Sequence, residues 1–119
     1  MKNYMVIVKI VNTNYLVSVL ADSLYAAEHM ILDNGICGRH EYTVDACQAF
    51  GYDEMKTECF AGMALQARTI SYYELMQVIA MRNDHIRAKD KAEDRIREIE
   101  GMMESLRAEL EDAKKIPAA

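Results

Sequence analysis

The chain has 119 residues, half of them apolar, and a net charge of −5. This is enough apolar material for the core of one domain and excludes a globally disordered polymer. Residues 1–70 carry five Lys/Arg against eight Asp/Glu and residues 71–119 carry nine against eleven, so the acidic balance disfavours direct nucleic acid binding.

Residues 4–11 read as a strand. Tyr4, Val6, Val8 and Ile10 share one face, and Met5, Ile7 and Val11 share the other, so both faces ask for cover. Asn12-Thr13-Asn14 has the chemistry of a hairpin turn. Residues 15–20 form the partner strand, rich in β-branched and aromatic side chains. Asp22 and Ser23 are N-cap residues for a helix over 23–33 with Leu24, Ala27, Met30 and Ile31 at helical spacing. Asn34-Gly35 is positioned to end it in the left-handed region.

A third strand is expected over 42–50, with Tyr42, Val44, Ala46 and Phe50 on one face. Gly51 breaks it, and Asp53 caps a helix over 54–66 whose stripe is Met55, Cys59, Phe60, Met63, Ala64 and Ala67. A short strand over 68–70 follows. Both helices are expected on one face of the sheet. Val6, Val8, Val17, Val19, Leu24, Ile31, Val44, Phe60 and Met63 are expected in the core.

Ser71 and Glu74 have capping-box spacing, and Ile70 and Leu75 the spacing of a hydrophobic staple, so a helix starts at Tyr72. Nothing stops it before Pro117, and Gly101 costs only about 1 kcal/mol relative to alanine. Tyr72 to Lys115 would span about 66 Å, longer than a domain of this size is wide. The fold class is α+β: a small sheet of order ββαβαβ with an N-terminal hairpin, then a long coiled-coil-like helix. The division is a body over 1–71, the helix over 72–116 and a tail over 117–119.

Ala92, Ile96, Ile99, Met103, Leu106, Leu110 and Ala113 alternate by four and three residues, the repeat of a coiled-coil seam, with charges of both signs around them. Extended backward the register meets Lys89, His85, Arg82, Val78 and Leu75. The seam from Ala92 to Leu110 is the expected oligomer interface, a dimer in its simplest form. Arg82, His85 and Lys89, with Arg68 near them, are candidates for an anion or an acidic partner surface, set against a solvated face. Tyr72 and Tyr73 are candidates for a partner patch, set against packing at the helix base.

Catalytic and metal chemistry find little support. Cys37 and His40 have CxxH spacing, but Cys47 falls in a strand and Cys59 on an apolar stripe, so no zinc site is expected. Cys37 with His40 is the only close thiol–base pair and lacks an oxyanion site. His29 reads as an edge histidine, and Asp53-Glu54 as helix-start carboxylates. There is no glycine-rich phosphate loop. Neither a catalytic role nor a cofactor is expected. Three cysteines and no secretory leader point to reduced thiols in a cytoplasm, and the longest early apolar run, residues 5–8, is far short of a membrane span.

In size, acidity and lack of catalytic motifs the chain resembles the small cofactor-free proteins of bacteriophages and mobile elements, among them anti-CRISPR and other anti-defence inhibitors. The resemblance implies a non-catalytic inhibitor that binds a host immune effector in the host cytoplasm. It carries no site residues with it. Two other roles fit the same sequence: a sponge that sequesters an anionic nucleotide between chains, and a structural or assembly protein.

Overall fold

A computed structural model describes residues 1–37 and 41–115. The element order is β1 (Lys2–Ile10), β2 (Thr13–Ala21), α1 (Leu24–Leu32), a 3-10 turn (Asp33–Gly35), β3 (Ala46–Phe50), a second 3-10 turn (Glu54–Lys56), α2 (Glu58–Leu65), β4 (Arg68–Thr69) and α3 (Tyr72–Lys114). The class is α+β, as the sequence implies. The sheet order is β3-β1-β2-β4, antiparallel except for the β2–β4 pair. The chain divides into two units, Met1–Arg87 and Ala88–Ala119. The boundary falls later than the start of the helix because the first turns of α3 supply core residues to the first unit.

The β1–β2 hairpin pairs Val6 with Val17, Tyr4 with Val19 and Ile10 with Thr13. The turn is therefore Val11-Asn12, not Asn12-Thr13-Asn14. Pairing Val11 with Tyr15 would set Val8 opposite Ser18 and turn Val17 and Val19 out of the core, so the buried face selects the tighter turn. The consequence is φ = 57° at Val11, the left-handed region that a β-branched residue resists.

The two faces of the sheet bury different sets. Tyr4, Val6, Val8, Ile10, Val17 and Val19 pack with Ala27 and Ile31 of α1 and Leu75 and Ile79 of α3. Ile7, Leu16 and Phe50 form a smaller cluster on the other face, against which Phe60 and Met63 of α2 pack. The two short helices thus lie on opposite faces, contrary to the single-face expectation. Phe60 and Met63 are half-buried and Leu24 is exposed. The other residues expected in the core are buried.

Local chemistry explains the element ends. The Ser23 hydroxyl accepts from the Ala26 amide at 3.0 Å and caps α1. That helix does not end in a left-handed residue; it tightens into the 3-10 turn, where a Cβ on Gly35 would sit 3.1 Å from Val44 Cγ2. Glycine is needed there for close approach, not for its φ. Residues 42–45 are not part of β3: the Thr43 amide donates to the Gly35 carbonyl at 2.9 Å, and Ile36 bridges Tyr42. Thr57, not Asp53, caps α2, its hydroxyl accepting from the Phe60 amide at 3.3 Å. At the start of α3 the Ser71 hydroxyl accepts from the Glu74 amide at 3.1 Å, the N-cap half of a capping box, and donates to the Glu74 carboxylate at 3.2 Å.

Candidate interaction surfaces

Within the first unit the buried series on α3 is Leu75, Ile79, Asn83 and Ile86. Continued by threes and fours, it meets Asp90, Glu93, Arg97, Glu100 and Glu104, a row of charges. The apolar series of the second unit begins instead at Ala92, in a different register. The backward extension of the seam is accordingly not the buried row: of its members only Leu75 is buried, Val78 and Arg82 are intermediate, and His85 and Lys89 are exposed.

In the second unit Ala92, Ile96, Ile99, Met103, Leu106 and Leu110 are all exposed, Leu106 to 62 % and Ile96 to 54 %. Met103, Leu106, Arg107 and Leu110 line a shallow apolar groove of about 250 Å³. Beside the row Arg95 Nη1 donates to Glu98 Oε2 at 3.1 Å.

The basic and aromatic candidates do not gather in one place. Arg82 lines an open cavity of about 450 Å³ with Glu41, Tyr42, Val44 and Asp45, so the described residues beside it bring two carboxylates. None of the described residues lining that cavity is Arg68, His85 or Lys89. Arg68 lies on β4 opposite Tyr15. Tyr72 donates its hydroxyl to the Met30 carbonyl at 3.4 Å, which ties the helix base to α1, whereas Tyr73 is exposed.

The cysteines stand on separate elements. Cys37 is buried, its Sγ 3.3 Å from Thr43 Oγ1. Cys47 lies on β3, where burial, and then the negative charge of Glu28, push its thiol from 9.0 up to about 12. It stays protonated at neutral pH, a poor nucleophile and a poor metal ligand. Cys59 on α2 is exposed. His40, the base expected beside Cys37, lies outside the described residues. Among the described residues no three His, Cys, Asp or Glu side chains are placed to hold a metal ion.

Two features escape a reading of the sequence. Leu32, Ile36, Tyr42 and Val44, with His29 and Asp33, line a mainly apolar cleft of about 280 Å³, with Ile36 and Tyr42 largely exposed. Its residues come from α1, from the 3-10 turn and Ile36 after it, and from Tyr42 and Val44, expected in a strand. The other is Glu28, whose Oε1 accepts from the Ala49 amide at 3.1 Å on the outer edge of the sheet. A carboxylate that spends itself on an edge amide leaves no sequence signal; the amide Asn83 does leave one, as the lone polar member of the row Leu75, Ile79, Ile86.

Comparison with protein-family models, with curated proteins and with solved structures gave no match for this chain. No described helix is long and apolar enough to cross a membrane.

Proposed function

We propose that the protein is a non-catalytic binding protein that self-associates through the distal part of α3 and, so assembled, engages another protein. The observation that supports this reading is the exposed row Ile96, Ile99, Met103, Leu106 and Leu110. Burying each such side chain is worth about 1.5–3 kcal/mol, more than a surface without a partner would forgo. The concrete form is a phage or mobile-element inhibitor of a host defence complex, acting in the host cytoplasm. The acidity of the chain suits a partner whose nucleic-acid channel is basic. Nucleotide sequestration has weaker support, since the described groups beside Arg82 include Glu41 and Asp45, which repel an anion.

The test is expression of the chain in bacterial hosts whose CRISPR immunity suppresses a targeted phage. Plaques are expected to return with the unmodified chain and to be lost with Ile99→Asp/Leu106→Asp. Undiminished immunity in each host tested, with the protein present and folded, counts against the inhibitor reading. Nucleotide co-purifying with the protein, seen as absorbance at 260 nm, would favour the sponge.

A further inference from the structure

The exposed row carries more than the fact of association. In its heptad register Ile96, Met103 and Leu110 occupy one core position, and Ala92, Ile99, Leu106 and Ala113 the other. The side chains bordering the core are then Arg95, Met102 and Glu109 on one flank, and Glu93, Glu100, Arg107 and Lys114 on the other. In a parallel pair each residue of the first flank meets the residue five positions later on the partner's second flank, and such contacts set orientation.

We infer that a second copy of this chain lies parallel and in register along Ala92–Ala113, with Arg95 facing the partner's Glu100 and Glu109 facing the partner's Lys114. This rests on the self-association proposed above and specifies its geometry. In this arrangement every core residue from Ala92 to Ala113 meets its own copy. Two-fold symmetry repeats both opposite-charge contacts, and the remaining flank contact, Met102 with the partner's Arg107, is free of repulsion. Arg95 Nη1 donates to Glu98 on its own helix at 3.1 Å, an exposed contact that the partner's Glu100 would share or replace.

Antiparallel pairings serve the same residues less well. One that sets Ile96 opposite the partner's Leu106 centres near Gly101 and brings Glu100 against the partner's Glu100. Sliding it by one heptad replaces that repulsion with Glu100 against the partner's Arg107, but drops Ala92 from the core and sets Ile96 against the small Ala113. The parallel register alone keeps the whole seam and has no like-charge contact.

The experiment uses the full chain with Cys59→Ser, which removes the exposed thiol and leaves the two less accessible ones in place. Leu106→Cys is added in one preparation and Ile96→Cys in another. Light scattering under reducing conditions reads the mass, circular dichroism reads the helix, and mild oxidation followed by a non-reducing gel reads the register. A mass of two chains, with most of the Leu106→Cys preparation and most of the Ile96→Cys preparation each running as a covalent dimer, is the expected result. A mass of two chains in which Ile96→Cys stays uncrosslinked alone, whether or not it crosslinks when exchanged with Leu106→Cys, overturns the parallel arrangement and leaves the self-association standing. A single-chain mass for the Cys59→Ser parent overturns both, and a mass of three or more chains overturns the two-stranded seam.

Discussion

The Thr43 hydroxyl donates to Oδ1 of Asn83, a bond between two buried side chains that joins the loop before β3 to the fourth turn of α3. Asn83 in turn donates from Nδ2 to the Asn34 carbonyl at 3.0 Å, and Cys37 Sγ rests 3.3 Å from the same Thr43 hydroxyl. One amide therefore satisfies groups from two stretches of chain that carry no regular ladder. Removing either partner strands the other in the interior. Asn83→Leu and Thr43→Val are each expected to cost about 1–3 kcal/mol in urea denaturation. The double variant should cost clearly less than their sum, since it removes both polar groups together. Strict additivity would mean that the two side chains do not share a bond.

A carboxylate protects the sheet's outer edge. Glu28 reaches from α1 to the Ala49 amide on β3, an edge strand that would otherwise present an open donor. Glu28→Ala is expected to speed hydrogen exchange at Ala49 and to cost about 1–2 kcal/mol. Glu28→Gln keeps an acceptor oxygen and should largely restore protection. Equal exchange in all three proteins would show that solvent serves the amide as well.

The hairpin turn holds a local conflict. Val11 is half exposed, so its side chain contributes little burial, yet it occupies φ = 57°. That region costs an L-residue about 1–2 kcal/mol, and glycine nothing comparable. Val11→Gly should raise the midpoint of thermal unfolding despite the added freedom of the unfolded chain. A lowered midpoint would mean that the side chain contributes packing that outweighs the strain.

Much of this fold is legible in alternation and capping. Tyr4, Val6, Val8 and Ile10 mark one strand face and Ile7 the other, and the Ser71–Glu74 spacing marks the start of α3; both are local signals. Choices among competing local signals are harder to read. Asn12-Thr13-Asn14 is the better turn by chemistry, but it would misalign Val17 and Val19, and the core outweighs the turn. Doubly buried β1 asks for cover on both faces without saying which helix goes where. Phe50 and Ala49, adjacent in β3, point to different clusters, and Phe50 draws α2 to the far side. The seam of α3 is readable because its period lies in one helix. The cleft at Ile36 and Tyr42 is not, because it depends on residues 42–45 leaving the strand that their alternation implies.

Thiol chemistry should divide the cysteines by burial. At pH 8 a disulfide reagent is expected to modify Cys59 rapidly, and Cys37 and Cys47 only on unfolding. Fast labelling that survives Cys59→Ser would contradict this. Cys47 also couples folding to alkaline pH. Its thiol ionises near 9.0 in the unfolded chain and near 12 in the folded one. Below 9.0 it is protonated in both states and adds no pH dependence. Between 9.0 and about 12 the unfolded chain sheds the proton first, so stability falls as pH rises through that window. Cys47→Ala should flatten part of the decline, as read by urea denaturation at pH 8 and pH 10.

The distal part of α3 gives the sharpest prediction. A long helix in water draws most of its stability from packing of an apolar face, and beyond Ile86 the described residues of this helix bury none of theirs. The row that keeps apolar spacing there, Ile96 to Leu110, is flanked by charges of both signs and interrupted by none. Ile99→Asp with Leu106→Asp places carboxylates at the middle of that row, where pairing would desolvate them against each other. The unmodified chain is expected to give the mass of a dimer by light scattering, and the variant at the same concentration that of a monomer with reduced helical signal. The first unit should remain folded, because the α3 residues buried in it end at Ile86, well before the substituted positions. The check is amide exchange. Val6, Val8 and Val17 should stay protected in the variant, while amides beyond Ala92 lose protection. If the core amides open together with the distal ones, the two units do not fold independently; if the distal amides stay protected in a monomer, the helix stands without a partner.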